Sequence, residues 1–169
     1  MRKVASVYAS IAVLALSGMA SGALAQTWAP APIDGWSLSG SLEVQQTLVL
    51  NCGVNGHAST TSATSGVINA FNFTAPDAAC ALLGENTPWT IEPLSVGPSG
   101  TGPGVRIHLD VTALFNTCTG YVDGDYDNVN TISFPPGSIV QGSSPTCTVE
   151  GVVVLTPDHR NTAPLIITP

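Results

Sequence analysis

Between Leu42 and Cys52 the chain reads Leu-Glu-Val-Gln-Gln-Thr-Leu-Val-Leu-Asn-Cys. Leu42, Val44, Leu48, Leu50 and Cys52 hold even positions, broken only by Gln46. Glu43, Gln45, Thr47 and Asn51 hold odd ones, with Val49 the exception. A period of two is the signature of a strand with one buried and one solvated face. The stretch is therefore expected to be a strand that carries the sulfur of Cys52 into a core.

The same pattern recurs along the chain. Val105, Ile107, Leu109 and Val111 alternate with Arg106, His108, Asp110 and Thr112. Further strands are expected at Val67 to Phe73, at Trp89 to Val96 with a break at Pro93, at Thr131 to Phe134, and at Thr146 to Thr156. In the last of these, Cys147, Val149, Val153 and Leu155 load one face while Val152 and Val154 load the other. Asn55-Gly56 and the polar run Ser59 to Ser65 read as turn or hairpin tip, Asp123-Gly124 as a second turn, and Pro76 to Gly84 as a short helical piece capped by Asp77. Seventeen glycines and thirteen prolines supply the turns of an all-β chain. The expected fold is a single disulfide-stapled β-sandwich, immunoglobulin-like or similar, of about seven to nine strands.

Residues 1–25 have the layout of a secretory signal peptide: Arg2 and Lys3, an apolar run from Val4 to Leu16, and Ala23-Leu24-Ala25 as the small-residue site. That leaves residues 26–169 as one secreted domain, placed outside the cell, at its surface or in the periplasm. The apolar run is too short to span a bilayer, and no later stretch offers a transmembrane segment. After removal of the leader, Arg106 and Arg160 face eleven carboxylates, a formal charge of −9 against −7 for the whole chain. Such a field excludes nucleic acid as a partner and disfavours anionic membranes.

Four cysteines in a secreted chain imply two disulfides with three pairings open. Cys52 and Cys80 enclose 27 residues and Cys118 and Cys147 enclose 28, and these matched intervals favour joining neighbours. The histidines His57, His108 and His159 show no metal-ligand spacing. Gly35-Trp-Ser37-Leu-Ser39 lacks the last glycine of a nucleophile elbow, and Gly100-Thr-Gly102-Pro-Gly104 lacks the spacing of a phosphate loop. His108 and Asp110 share one strand face, which by itself is an ordinary solvated face. Asp123, Asp125 and Asp127 alternate as hard-cation ligands do. Asn128 and Phe134, however, stand where an EF-hand loop needs its glycine and its glutamate, so no metal and no cofactor are expected.

Taken together, the leader, the four spaced cysteines, Asn86-Thr-Pro88-Trp89 after the second of them, and Tyr126-Asp-Asn128 with Asn130-Thr131 after the third resemble the secreted bacterial activators of alkane oxidation, the PraA and PraB type. The resemblance implies a non-enzymatic helper of hydrocarbon use that acts at hydrocarbon or cell surfaces by emulsification, adhesion or biofilm attachment. It transfers no catalytic residue. The alternative is a fimbrial or coat-type subunit that forms a homo-oligomer by strand exchange. The residues expected to form an exposed interaction patch are Val152, Val154, Leu165, Ile166 and Ile167, because apolar side chains there lack an evident cover.

Overall fold

The computed structural model describes residues 26–31, 33–113, 116–158 and 164–168. The segment expected to be a leader, residues 1–25, and the segment with His159 and Arg160 lie outside the described residues. Among the described residues there are eleven strands: β1 (Thr27–Ala29), β2 (Ile33–Gln45), β3 (Val49–Ser62), β4 (Ser65–Pro76), β5 (Leu83–Glu85), β6 (Trp89–Leu94), β7 (Gly104–Ala113), β8 (Asn116–Tyr126), β9 (Thr131–Ile139), β10 (Thr148–Pro157) and β11 (Ile166–Thr168). A 3₁₀ turn, Ala78–Leu82, joins β4 to β5.

The Leu42–Cys52 stretch is a hairpin and not one strand. The chain reverses at Gln46 to Leu48, where the Gln46 N–H donates to the Leu48 carbonyl, and Leu42 then pairs with Cys52 and Val44 with Leu50. Pairing partners add up to an even number, so even positions stay on the inner face through the reversal and the alternation runs on unbroken. Leu42, Val44 and Cys52 are buried, while Leu48 at the turn is exposed.

All barrel pairings are antiparallel. Around the sheet the order is β6-β4-β3-β2-β10-β9-β8, and β7 pairs with both β6 and β8, which closes an eight-stranded up-and-down barrel. This corrects the sandwich expectation. Alternating strands fit either architecture, and the β7–β8 and β2–β10 ladders, which remove the sheet's ends, decide for the barrel. The even residues of β2 and β3 and the odd residues of β7 point inward, with Trp36, Leu38, Val54, Val105, Ile107 and Val111 all buried. Outer positions carry Ser37, Ser39, Glu43, Asn55, His57, Arg106, His108 and Thr112. An apolar lumen inside a polar wall is the reverse of a membrane-spanning barrel, whose lipid face is apolar. Among the described residues no helix is long and apolar enough to cross a membrane.

Several expected turns are strand. Gly53 and Asn55-Gly56 lie inside β3, where a Cβ on Gly56 would meet the Ala70 carbonyl at 2.3 Å beside a register shift between β3 and β4. Asp123-Gly124 lies inside β8, with Gly124 buried against Phe134. Gly151 has φ +130° at the β9–β10 register shift, a bulge that helps bend the wall into a closed curve. Pro93 tolerates its strand because β4 pairs β6 only from Trp89 to Ile91, which leaves Pro93 a neighbour on one side alone.

The two ends of the barrel are finished differently. At one end β1 and β11 form a ribbon in which Thr27 pairs with Thr168 and Trp28 with Ile167. Trp28, Leu165 and Ile167 are buried there, and the Trp28 N–H donates to the Ala63 carbonyl at the β3–β4 turn. At the other end Cys52 joins Cys80 and Cys118 joins Cys147, the pairing of sequence neighbours. Each bridge ties the start of a barrel strand to a connection.

Trp28, Trp36 and Trp89 bury their indole N–H groups without a protein partner. An unmade hydrogen bond costs about 1–3 kcal/mol. Burying roughly 150–250 Å² per ring at about 25 cal/mol per Å² contributes about 4–6 kcal/mol, so packing wins.

Removing either disulfide by paired Cys→Ser substitution frees a loop with separation 28 or 29. The chain-entropy account gives roughly 3.5 kcal/mol for each, a fall in Tm of about 10 °C by calorimetry. Falls below about 2 °C for both pairs would show that the bridges do not limit the unfolded chain.

Candidate functional site

The acidic run on β8 is built into the wall. Asp123 accepts from Arg106 Nε at 2.8 Å and from its terminal nitrogen at 2.9 Å, a two-pronged ion pair across β7 and β8. The guanidinium also lies 4.1 Å from the centre of the Tyr121 ring. The hydrogen bond to Asp123 is the largest influence on Arg106 and holds its pKa above the ordinary value against desolvation. Asp125 accepts from the Ser99 N–H at 3.0 Å and its hydroxyl at 2.8 Å. Asp127 Oδ1 accepts from the N–H groups of Val129, Asn130 and Thr131 at 2.8, 2.8 and 2.9 Å, which makes it the organiser of the β8–β9 turn. The three carboxylates therefore face different partners, and among the described residues no group of three His, Cys, Asp or Glu could hold a metal ion.

Tyr126 and Asn128 flank Asp127 and clasp the ribbon. The Tyr126 hydroxyl donates to the Leu165 carbonyl, and burial pushes its pKa well above the ordinary range, with the Asp127 charge adding to the rise. Asn128, at φ +61°, accepts from the Ile167 N–H at 2.6 Å and donates to its carbonyl at 3.2 Å. Asn130 accepts from the Leu155 N–H at 2.7 Å. Of the residues that carried the family resemblance, Tyr126 and Asn128 thus hold the terminal ribbon to the barrel, while Asp127 and the Asn130 carbonyl fix the β8–β9 turn and its contact with β10. Trp89, from the other quoted motif, packs on Phe71 in the lumen at 4.8 Å between ring centres.

His108 and Asp110 do not form a pair. His108 lies 3.8 Å from Glu92 and 5.8 Å from the Tyr121 ring, and Asp110 accepts from the Thr119 hydroxyl. A grouping that sequence reasoning missed is Ser37, Asp158 and His57. Asp158 accepts from the Ser37 hydroxyl at 2.9 Å and lies 3.0 Å from His57 Nε2. The carboxylate stands between serine and histidine, so the hydroxyl donates to the carboxylate and not to the imidazole. That order does not activate a nucleophile.

The expected apolar patch is divided. Leu165 and Ile167 are buried under the ribbon and Ile166 is half-buried beside Ala29, which corrects the expectation that this tail is exposed; the ribbon itself is its cover. Val152 is exposed and Val154 half-buried on the outside of β10, flanked in register by Ser41 and Ser133 and by Ser39 and Thr131. Large apolar side chains are also exposed at Leu48, Val49, Leu82 and Ile139, in or beside the connections at the disulfide end. The signal that finds them is pairing: Val49, Gln45, Thr148 and Ile139 lie side by side across four strands.

The lumen is lined wholly by apolar residues and cysteine, including Leu38, Ile68, Phe71, Phe73, Ile107 and Phe134, and leaves a cavity of about 40 Å³. A single benzene ring occupies an engineered cavity of about 150 Å³, so the lumen is a packed core with no room for a hydrocarbon chain.

Asp127 supplies a pH test. Desolvation acts to raise its pKa, but the bonds from Thr131, Val129 and Asn130 outweigh it and hold it below the ordinary value. A depressed folded pKa contributes stability above the unfolded value of about 4 that is lost as pH falls through the folded one. In acid melts the stability gap between wild type and Asp127→Asn should therefore close below about pH 4. A gap unchanged with pH would refute the role of the charge. Millimolar calcium should leave Tm almost unchanged in wild type and Asp125→Ala alike, since stabilisation follows RT ln(1 + [L]/Kd). A calcium shift lost in Asp125→Ala would overturn that.

Comparison with known proteins finds no match among curated proteins or solved structures. A family model does match, over residues 1–162, and it is described as alkane oxidation protein activator PraA/PraB-like. With two neighbour-paired disulfides and the Trp89 and Tyr126–Asn128 motifs built into the barrel, this chain belongs to the PraA/PraB-like family of alkane oxidation activators.

Proposed function

We infer that the protein is a secreted, non-enzymatic helper of hydrocarbon use that works at the outside of its barrel, at a hydrocarbon or cell surface. The observation that carries this is the packed lumen. With about 40 Å³ inside, a chain-length alkane is met at the outer wall or not at all, so the protein is a surface agent and not a carrier. The family description supplies the link to alkane oxidation. Two disulfides fit an oxidising compartment, and eleven carboxylates against few cations keep copies apart in solution.

Closure of the sheet supports this reading over a strand-exchanging subunit. Strand exchange needs an open groove or a long free edge. Here β2 and β7 are each paired on both sides, and the unpaired stretches are parts of strands that are held on their other side, β4 beyond Ile68 by β3 and β8 before Asp125 by β7. Adhesion and biofilm attachment remain within the proposal, since an apolar cell surface poses the same physical problem as an oil droplet.

Purified protein should lower hexadecane–water tension in a pendant-drop measurement and take up no stoichiometric alkane in solution. Tight one-to-one alkane binding without interfacial activity would make it a carrier. A polymer on size-exclusion chromatography would favour the subunit.

A further inference from the structure

We propose that the disulfide end of the barrel is the face that enters the apolar phase, so that the molecule stands end-on at a hydrocarbon surface with its terminal ribbon in water. This rests on the surface-agent reading and adds which residues engage.

Three observations point to this end. Leu48, Val49, Leu82 and Ile139 are all large apolar residues with about half their surface exposed, and all lie where strands meet connections at the disulfide end. They follow the rim in order. Ile139 is beside Thr148, Thr148 beside Gln45, and Gln45 beside Val49, while the 3₁₀ turn that carries Leu82 is held to β3 by the Cys52–Cys80 bridge and by the Asp77 N–H donating to the Asn51 carbonyl. Among the described residues Val96 and Val129 are exposed singly at the ribbon end and Val152 on the wall, as scattered apolar residues normally are, whereas the four at the disulfide end form a set of the kind that marks an interaction surface.

The second observation is charge. Among the described residues, the connections at this end, 46–48, 77–82, 86–88 and 140–147, carry one charged residue, Asp77, with Glu85 beside them in β5. The Asp77 carboxylate accepts from the Asn51 N–H at 2.7 Å and that of Glu85 from the Phe73 N–H at 2.8 Å. At the ribbon end Asp125, Asp127 and Asp158 lie in or beside the connections. An apolar liquid excludes charge, so the chain has one end that can approach it without stripping water from carboxylates. The same lack of cations gives the rim nothing with which to hold anionic headgroups, so the partner is an uncharged hydrocarbon surface.

The third is rigidity. Both bridges are at this end, so the apolar side chains are presented on a fixed frame and less order is lost on contact.

The test compares Leu48→Asp with Leu82→Asp against Val96→Asp with Val129→Asp, two equally exposed valines in the connections of the ribbon end. The readout is pendant-drop tension on hexadecane, with circular dichroism to check folding. The rim pair should lose more than half of the wild-type fall in tension, and the ribbon-end pair should keep most of it. If the rim pair unfolds, Leu48→Ser with Leu82→Ser decides: loss with a native spectrum supports the proposal, and retention overturns it. Wild type without interfacial activity overturns both this inference and the surface reading. Activity lost only in the ribbon-end pair overturns the inference and leaves that reading standing. Binding to phosphatidylglycerol vesicles with no effect on hexadecane would overturn the hydrocarbon assignment.

Discussion

The structure depends on the closing of one sheet onto itself. A half-buried strand cannot hide its apolar face alone, and an open antiparallel sheet must find a second layer to cover it. Here the ladder between β7 and β8 and the ladder between β10 and β2 complete the circuit, and each strand's inner side chains cover those across the lumen. Everything else follows from that choice. The charged residues are left on the wall, the sheet has no end strand, and two circular ends remain to be finished. The ribbon finishes one and the disulfides the other.

The wall then uses its polar residues on itself. Arg106 is spent on Asp123 and Tyr121, Asp125 on Ser99, Asp127 on the β8–β9 turn, and Asp158 on Ser37 and His57. These contacts lie between neighbouring strands or at their ends, where they oppose fraying of the ladder and set the turns. The chemistry-bearing side chains are thus part of the architecture, and the surface property left over is the distribution of apolar residues at the rim.

Local alternation was legible in the sequence and long-range pairing was not. Val105 to Val111 alternates without interruption and is a strand, and the Leu42–Cys52 pattern is right about Leu42, Val44 and Cys52, which are buried, and wrong about Leu48, which the turn exposes. The turn itself has no Gly, Pro, Asn or Asp to mark it, so nothing in Gln46-Thr47-Leu48 gives it away. Conversely, Asn55-Gly56 and Asp123-Gly124 are turn-like in composition but sit in strands, because the glycines answer to crowding from Ala70 and Phe134 across the wall. Crowding of that kind is a tertiary fact. The same holds for the patch: Leu165 and Ile167 are apolar in a polar tail, and only the pairing with β1, more than a hundred residues away, shows that they are covered.

The ribbon gives the molecule a direction of mechanical weakness. Thr27 is opposite Thr168, so a pull that separates the two termini loads the β1–β11 pairs one at a time, as a zip is opened, and next reaches β2 and β10, which are also neighbours. Noncovalent bonds in that geometry yield in sequence and share no load. The disulfides set how far the chain can then be drawn out, because the covalent path jumps from Cys52 to Cys80 and from Cys118 to Cys147 and hides the 27 and 28 residues between them. Under tension the barrel would lengthen from its ribbon end while the stapled segments stayed out of the extended path.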